Sequence, residues 1–271
     1  MLLLFFKHKG GICMFFKHYD LTQPLSVHTP PWPTYEPLQI KYFKRISSVG
    51  ANGQLITTSH HVGTHMDGEI HFWNSSKART IGQQPLSDFI GEGVIVDISD
   101  IACDYGIYTP KDIEDRIEVK EGDILIIYTG YLKYAWYREQ GNEIKYMCCH
   151  PGPTKEFANW AIKKKIKWIG VDCGSADHPM NTIIRKWQPK LAEKADKYMQ
   201  KTYGKTLEEI FPDDDYQTMH IHCFPHGVIH AENLGGQIEE VLNRRMTIGA
   251  FPIPYLEGES AQCRIVAFEP A

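Results

Sequence analysis

Four histidines and two carboxylates fall within twelve residues, His60-His61-Val62-Gly63-Thr64-His65-Met66-Asp67-Gly68-Glu69-Ile70-His71. Imidazole nitrogens and carboxylate oxygens are the ligand atoms of divalent cations of the zinc or manganese kind. A second group lies far downstream: His220, His222, His226, His230 and Glu232. The two groups hold eight of the thirteen histidines of this 271-residue chain. Ligands so distant in sequence meet only once the chain has folded, which points to a metal-dependent enzyme.

The spacing assigns roles. A helix would align His61 and His65, four apart. Val62-Gly63-Thr64 is a poor helix interior, however, since glycine costs about 1 kcal/mol there. A loop or bent strand is expected instead, turning at Gly63 and folding His61, His65 and Asp67 around one cation. The two oxygens of Asp67 could bridge to another ion. His71 suits a general base beside the metal, and His60 reads as a spectator. In the second group Glu232 is the best ligand, with His220 or His222 closing the site. His226 and His230 could line a substrate pocket. Trp32, Trp73 and His178 are candidates for its wall, and Arg79 or Arg185 for holding a substrate carboxylate. Asp172 and Asp177 either reach the pocket or make turns and caps.

The elements that must carry these residues alternate in type. Val94–Ile98, Ile124–Tyr128, Trp168–Asp172, Met246–Phe251 and Cys263–Phe268 read as strands from their β-branched or wholly apolar runs. Thr109-Pro110-Lys111-Asp112 reads as a helix start, as does Pro153-Thr154 ahead of Phe157, Trp160, Ala161 and Ile162. A charged, exposed helix is expected over 186–203, a capping box at Thr206–Glu209 and a short helix over 237–242. The pattern is a mixed α/β chain forming one domain.

Composition narrows the function. The chain is 42% hydrophobic and 23% charged, with a net charge of −4. No basic stripe suggests nucleic-acid binding. Seven irregularly spaced cysteines without a Cys-x-x-Cys pair argue against a disulfide framework and for a reducing, cytoplasmic setting. Met1–Phe6 is too short to span a bilayer and lacks the basic start of a signal peptide. Phe5-Phe6-Lys7-His8 recurs as Phe15-Phe16-Lys17-His18. Residues 1–13 are therefore read as a dispensable extension or mis-called start, and 14–271 as the domain.

His61-Val-Gly-Thr-His65-Met-Asp67-Gly-Glu-Ile-His71-Phe72 resembles the His-x-Gly-Thr-His-x-Asp-x-Pro-x-His-Phe signature of the cyclase/metal-dependent hydrolase family. That family includes kynurenine formamidases, isatin hydrolase and trans-dienelactone hydrolase. Tyr19–Ser26, Gly170–Asp177 and His230–Leu234 resemble further family segments. The resemblance implies an α/β domain with a barrel-like core of mixed strands, of the swivelling β/β/α type, assembled as dimers or tetramers. It implies metal ligation by His61, His65, Asp67, His220 and Glu232, the last two at the family's twelve-residue spacing, and acid/base catalysis by His71. Glu69 stands where the family has proline. It either adds a carboxylate near the metal, at the substrate pocket, or faces water.

The expected reaction is hydrolysis of a small cyclic ester or amide, a dienelactone-like lactone for example, with one or two Zn²⁺ or Mn²⁺ ions per subunit. The alternatives are an arylformamidase of the N-formylkynurenine type, a metal-assisted lyase or dehydratase, and a protein whose metal is structural. The expected partners are a small-molecule substrate and further copies of the chain, with neither nucleic acid nor membrane.

Overall fold

The computed structural model describes residues 16–270, so the expectation for residues 1–13 lies outside the described residues. Ten strands follow in order: β1 (Phe16–Asp20), β2 (Gln39–Lys44), β3 (Gly53–Thr57), β4 (His65–Asp67), β5 (Ile90–Asp97), β6 (Ile124–Tyr128), β7 (Trp168–Val171), β8 (Ile229–Glu232), β9 (Arg244–Pro252) and β10 (Ser260–Pro270). All five strands read from the apolar runs are present. β6 is buried along its whole length, as an uninterrupted apolar run requires.

β5, β6, β7 and β8 are parallel neighbours. Parallel strands need crossovers, and these carry helices. Pro110–Glu114 lies between β5 and β6 and starts with the Thr109/Asp112 capping box. Lys155–Lys163 lies between β6 and β7 and buries Phe157, Ala158 and Ala161. On the far side β5 pairs with β9, β9 with β10, β10 with β4 and β4 with β8, all antiparallel. Seven strands thus close into a mixed, barrel-like sheet, and β1 adds to the C-terminal half of β10. This is the single-domain α/β architecture expected.

Two helical expectations are modified. The segment 186–203 breaks into Ile184–Trp187 and Pro189–Tyr203. Pro189 has no N–H to continue a helix and forces Gln188 to φ −119°, ψ 63°. The segment 237–242 forms only a 3-10 turn, Ile238–Glu240. The β2–β3 hairpin has no counterpart in the sequence pattern. Its apolar residues come in adjacent pairs, Tyr42-Phe43 and Leu55-Ile56, so neither face alternates and both stay exposed. The six described cysteines are free thiols, as expected. Among the described residues no helix is long and apolar enough to cross a membrane.

Candidate functional site

The site forms where β4 lies between β8 and β10. Gly63 (φ 68°) turns the chain into β4, a conformation costly for residues with a Cβ. The Thr64 hydroxyl ties the turn to the Asn233 carbonyl at 2.6 Å. His65 and Asp67 then share one face of β4. His65 is in register with Glu232 of β8, which shares a face with His230. His220 arrives on the short helix Thr218–Ile221.

Four of the five candidate ligands are aimed by a partner behind them. The Nδ1–H of His65 donates to the Gly63 carbonyl at 2.8 Å, leaving the Nε2 lone pair facing inward. His61 donates from Nε2 to Glu259 at 2.9 Å, leaving Nδ1 inward. His220 donates from Nδ1 to Asp177 at 2.6 Å, and the other Asp177 oxygen accepts from the Met219 N–H. Glu232 accepts from the Ala176 N–H at 2.8 Å and the Ser175 hydroxyl at 3.1 Å.

The inward atoms converge. His61 Nδ1 lies 3.1 Å from His65 Nε2 and 3.3 Å from Asp67 Oδ1. His65 Nε2 lies 3.6 Å from both Asp67 Oδ1 and Glu232 Oε2. His220 Nε2 lies 3.5 Å from Asp67 Oδ2 and 3.6 Å from Glu232 Oε1. Atoms about 2.1 Å from a shared cation sit about 3.0–3.5 Å from one another. Asp67 is fully buried, and neither of its oxygens has a hydrogen-bond partner. Leaving a buried polar group unsatisfied costs about 1–3 kcal/mol, and more for a charge. The donor set therefore fits a divalent cation. Asp67 turns one oxygen to His61 and His65 and the other to His220.

His71 ends the 3-10 turn Glu69–His71. Its Nδ1–H donates to Glu259 at 2.6 Å, and its ring centroid lies 4.3 Å from that of His61. Glu259 thus joins a candidate ligand to the candidate base, a role that sequence reasoning missed. It directly precedes Ser260, whose pairing with Asp67 brings it to the site. Gly68 permits the approach, since a Cβ there would lie 3.0 Å from the Glu259 carbonyl oxygen. Burial opposes ionisation of Glu259, but hydrogen bonds from His61 and His71 outweigh it and hold the carboxyl down at about 2.

These groups border a cavity of about 230 Å³. Trp32, Tyr35, Phe72, Ile183 and Trp187 form its apolar wall; His61, His71, His220 and Glu232 form its polar end. Other expected pocket residues stand elsewhere. Glu69 neither reaches the metal position nor faces water. It is buried against the Arg79 guanidinium, at 2.6 Å from Nη2, and accepts from the Arg79 backbone N–H. The pair staples the loop carrying His71, and Arg79 is spent on Glu69 and Asp88 rather than on a substrate. His178 is a buried structural residue, bonded to the Tyr105 carbonyl and the Met180 N–H, and burial holds it down at about 3. Trp73 packs on the core and Arg185 binds the Phe211 carbonyl; neither lines the cavity. His230 lies behind the polar end, fully buried. His222 is turned to Asn159, away from the converging set. Asp172 fastens β7 to Thr129 and Leu132.

Comparison with known proteins gives this arrangement a family. The model of the Cyclase family matches residues 19–178. The chain belongs to that family. Kynurenine formamidase of Geobacillus thermodenitrificans (strain NG80-2) is 29% identical over 163 residues, 58% of this chain and 69% of that protein. Isatin hydrolase A from Labrenzia aggregata, bound to benzyl benzoate, superposes with a TM-score of 0.72 at 17% identity, covering 94% of each chain. Isatin hydrolase A from Ralstonia solanacearum superposes with a TM-score of 0.71 at 18% identity, covering 93% of this chain and 92% of that one. The cyclase-family fold is thus shared along nearly the whole chain. The expected enzyme class, a cyclase-family hydrolase, stands.

Two outcomes are expected of this cyclase-family enzyme. In metal-free protein, burial and the neighbouring Asp67 push Glu232 up to about 7. Burial opposes the charging of His220, but Asp177 and Asp67 overcome it and raise the ring to about 10. Both shifts are upward, so both groups hold protons at low pH that a cation must displace. Zinc loading followed with a pH indicator releases about one more proton at pH 6 than at pH 8.5, and apparent affinity rises with pH. Separately, Glu259→Ala lowers metal affinity or kcat/KM by about 10–100-fold. Glu259→Gln, which keeps an acceptor, loses less; chelator competition and steady-state assays read both.

Proposed function

We propose that this enzyme hydrolyses a small, neutral amide or ester with a flat apolar body: a cyclic amide, a lactone, or an aryl formamide. The observation that carries the reading is the convergence of His61, His65, Asp67, His220 and Glu232 at the polar end of an aromatic-walled cavity. No lysine or arginine is among the residues lining it, which favours a substrate without a carboxylate in the pocket. The names of the similar proteins, kynurenine formamidase and isatin hydrolase, support an amide over a lactone.

His61, His65, Asp67, His220 and Glu232 would hold the cation, Zn²⁺ or Mn²⁺, both of which accept this donor set. When bound, it supplies the Lewis acidity that ionises water near neutral pH and stabilises a developing oxyanion. His71 is the base. With Nδ1 committed to Glu259, its Nε2 takes a proton from the attacking water and returns it to the leaving nitrogen or oxygen. Glu259, held down at about 2, stays a carboxylate throughout and fixes the tautomer of His71. Trp32, Phe72 and Trp187 position the flat substrate and keep water from its outer face.

We also propose that the enzyme assembles as a homodimer or homotetramer. The β2–β3 hairpin exposes Phe43, Ile46, Val49, Leu55 and Ile56, an apolar group that association would cover. The chain enters and leaves this arm between Tyr35 and His61, beside the cavity.

Two outcomes follow. Assayed on cyclic imides, lactones and aryl formamides, His71→Ala retains bound metal but loses about 10²–10⁴-fold in kcat. Full activity in that variant would sink the acid/base role, and an inactive wild type with metal bound would exclude these substrate classes. In light scattering after size-exclusion chromatography, Phe43→Asp with Leu55→Asp yields monomers where the wild type forms dimers or tetramers. An unchanged mass would reject the hairpin as the interface.

A further inference from the structure

Most polar side chains bordering the cavity already have a partner. His61 and His71 donate to Glu259, His220 to Asp177 and Ser175 to Glu232. Thr34 and Tyr35 are exposed and can turn to water. Gln217 also lines the cavity, yet only 8% of its surface is accessible. Among the described residues its carboxamide has no hydrogen-bond partner. It is not sealed in as the Asp67 oxygens are, so its remaining surface opens on the cavity.

The backbone of Gln217 is held in a costly conformation. At φ 43°, ψ 49° it lies in the left-handed region, which a residue with a Cβ rarely adopts. Asn181 keeps it there. Its carbonyl accepts from the Gln217 N–H at 3.0 Å, and its side-chain amide donates to the Asp215 carbonyl at 2.8 Å. The Gln217 carbonyl in turn accepts from the His220 N–H at 2.9 Å, at the start of the helix that carries that candidate ligand. Strain of this kind persists where the surroundings over-determine it, and it gathers at functional sites.

We propose that Gln217 recognises a cyclic imide as the substrate. This deepens the hydrolase reading above and rests on it. A carboxamide presents an acceptor, Oε1, beside a donor, Nε2–H. Its complement is an edge with an N–H beside a C=O. In a cyclic imide one carbonyl is attacked at the polar end of the cavity, and the ring N–H with the second carbonyl forms that edge. A lactam has a single carbonyl, already engaged in the reaction, and a lactone has no N–H. Either leaves part of a buried carboxamide unpaired, and sites built around hydrogen bonds discriminate on that ground. In the reaction, water adds its oxygen to the attacked carbonyl carbon and the C–N bond breaks. The nitrogen takes a proton, so the opened product carries a carboxylate and a primary amide.

The test compares phthalimide with phthalide, the lactone of the same ring frame, on metal-loaded protein. Gln217→Gly removes the carboxamide and suits the left-handed backbone, so the variant folds, with its metal content as the control. Relative to wild type, it lowers the phthalimide-to-phthalide ratio of kcat/KM about tenfold or more. Intrinsic reactivity cancels in that comparison. N-methylphthalimide, which lacks the N–H, loses no more than phthalide does. Equal losses on imide and lactone overturn the proposal and leave the hydrolase reading standing. If metal-loaded wild type opens none of the three, that reading falls, and calorimetric titration decides on Gln217 alone. Tighter binding of phthalimide than of phthalide, lost in Gln217→Gly, keeps it as an imide-recognition residue; equal binding rejects it.

Discussion

The structure turns on the buried carboxylate of Asp67. Taking a carboxylate out of water costs several kcal/mol unless opposite charge and hydrogen bonds compensate. Here no donor reaches either oxygen with hydrogen-bond geometry. Burial opposes its ionisation, yet the rings of His61, His220, His71 and His65 hold it ionised, well below the usual carboxylate range. A negative charge placed at the centre of histidine rings, on a strand of only three residues, is a position prepared for a cation. The architecture then reads as the means of holding β4 still: β8 on one edge and β10 on the other.

Around that centre each of the other four candidate ligands has a partner that fixes its tautomer or rotamer. The Gly63 carbonyl does this for His65, Glu259 for His61, Asp177 for His220, and Ser175 with Ala176 for Glu232. Such partners set ligand orientation and basicity as much as the ligands themselves do. Glu259 is the most economical, because one carboxylate orients both a candidate ligand and the candidate base. Glu69 fastens the loop before His71 through a part-buried ion pair with Arg79.

Much of this was legible in the chain because it is local. The spacing of His61, His65, Asp67 and His71 lies in one short segment. Gly63 announces the turn, and the apolar run Ile124–Tyr128 announces a buried strand. What was illegible depends on register between distant strands. Glu259 is one acid among 33 acidic residues, far in sequence from both histidine groups. Only the pairing of Ser260 with Asp67 gives it meaning. His178 reads from sequence as a candidate for the pocket wall, but the fold buries its ring against the Tyr105 carbonyl. Glu69 carries the charge of a ligand, and its partner, ten residues on, could not be chosen over water without the fold.

The position of β4 in the ring also governs the order in which the molecule is built. β4 pairs only with β8 and β10, which belong to the last part of the chain. The parallel core β5–β6–β7 closes over shorter loops and so at smaller entropic cost. Contacts of such long sequence separation slow folding. A nascent chain still lacking β10 has already made His61, His65, Asp67 and His71, but lacks the strand that closes the second edge of β4 and brings Glu259 to His61 and His71. The candidate ligands and the carboxylate that orients two of the histidines therefore come together only when the last strand of the ring is in place.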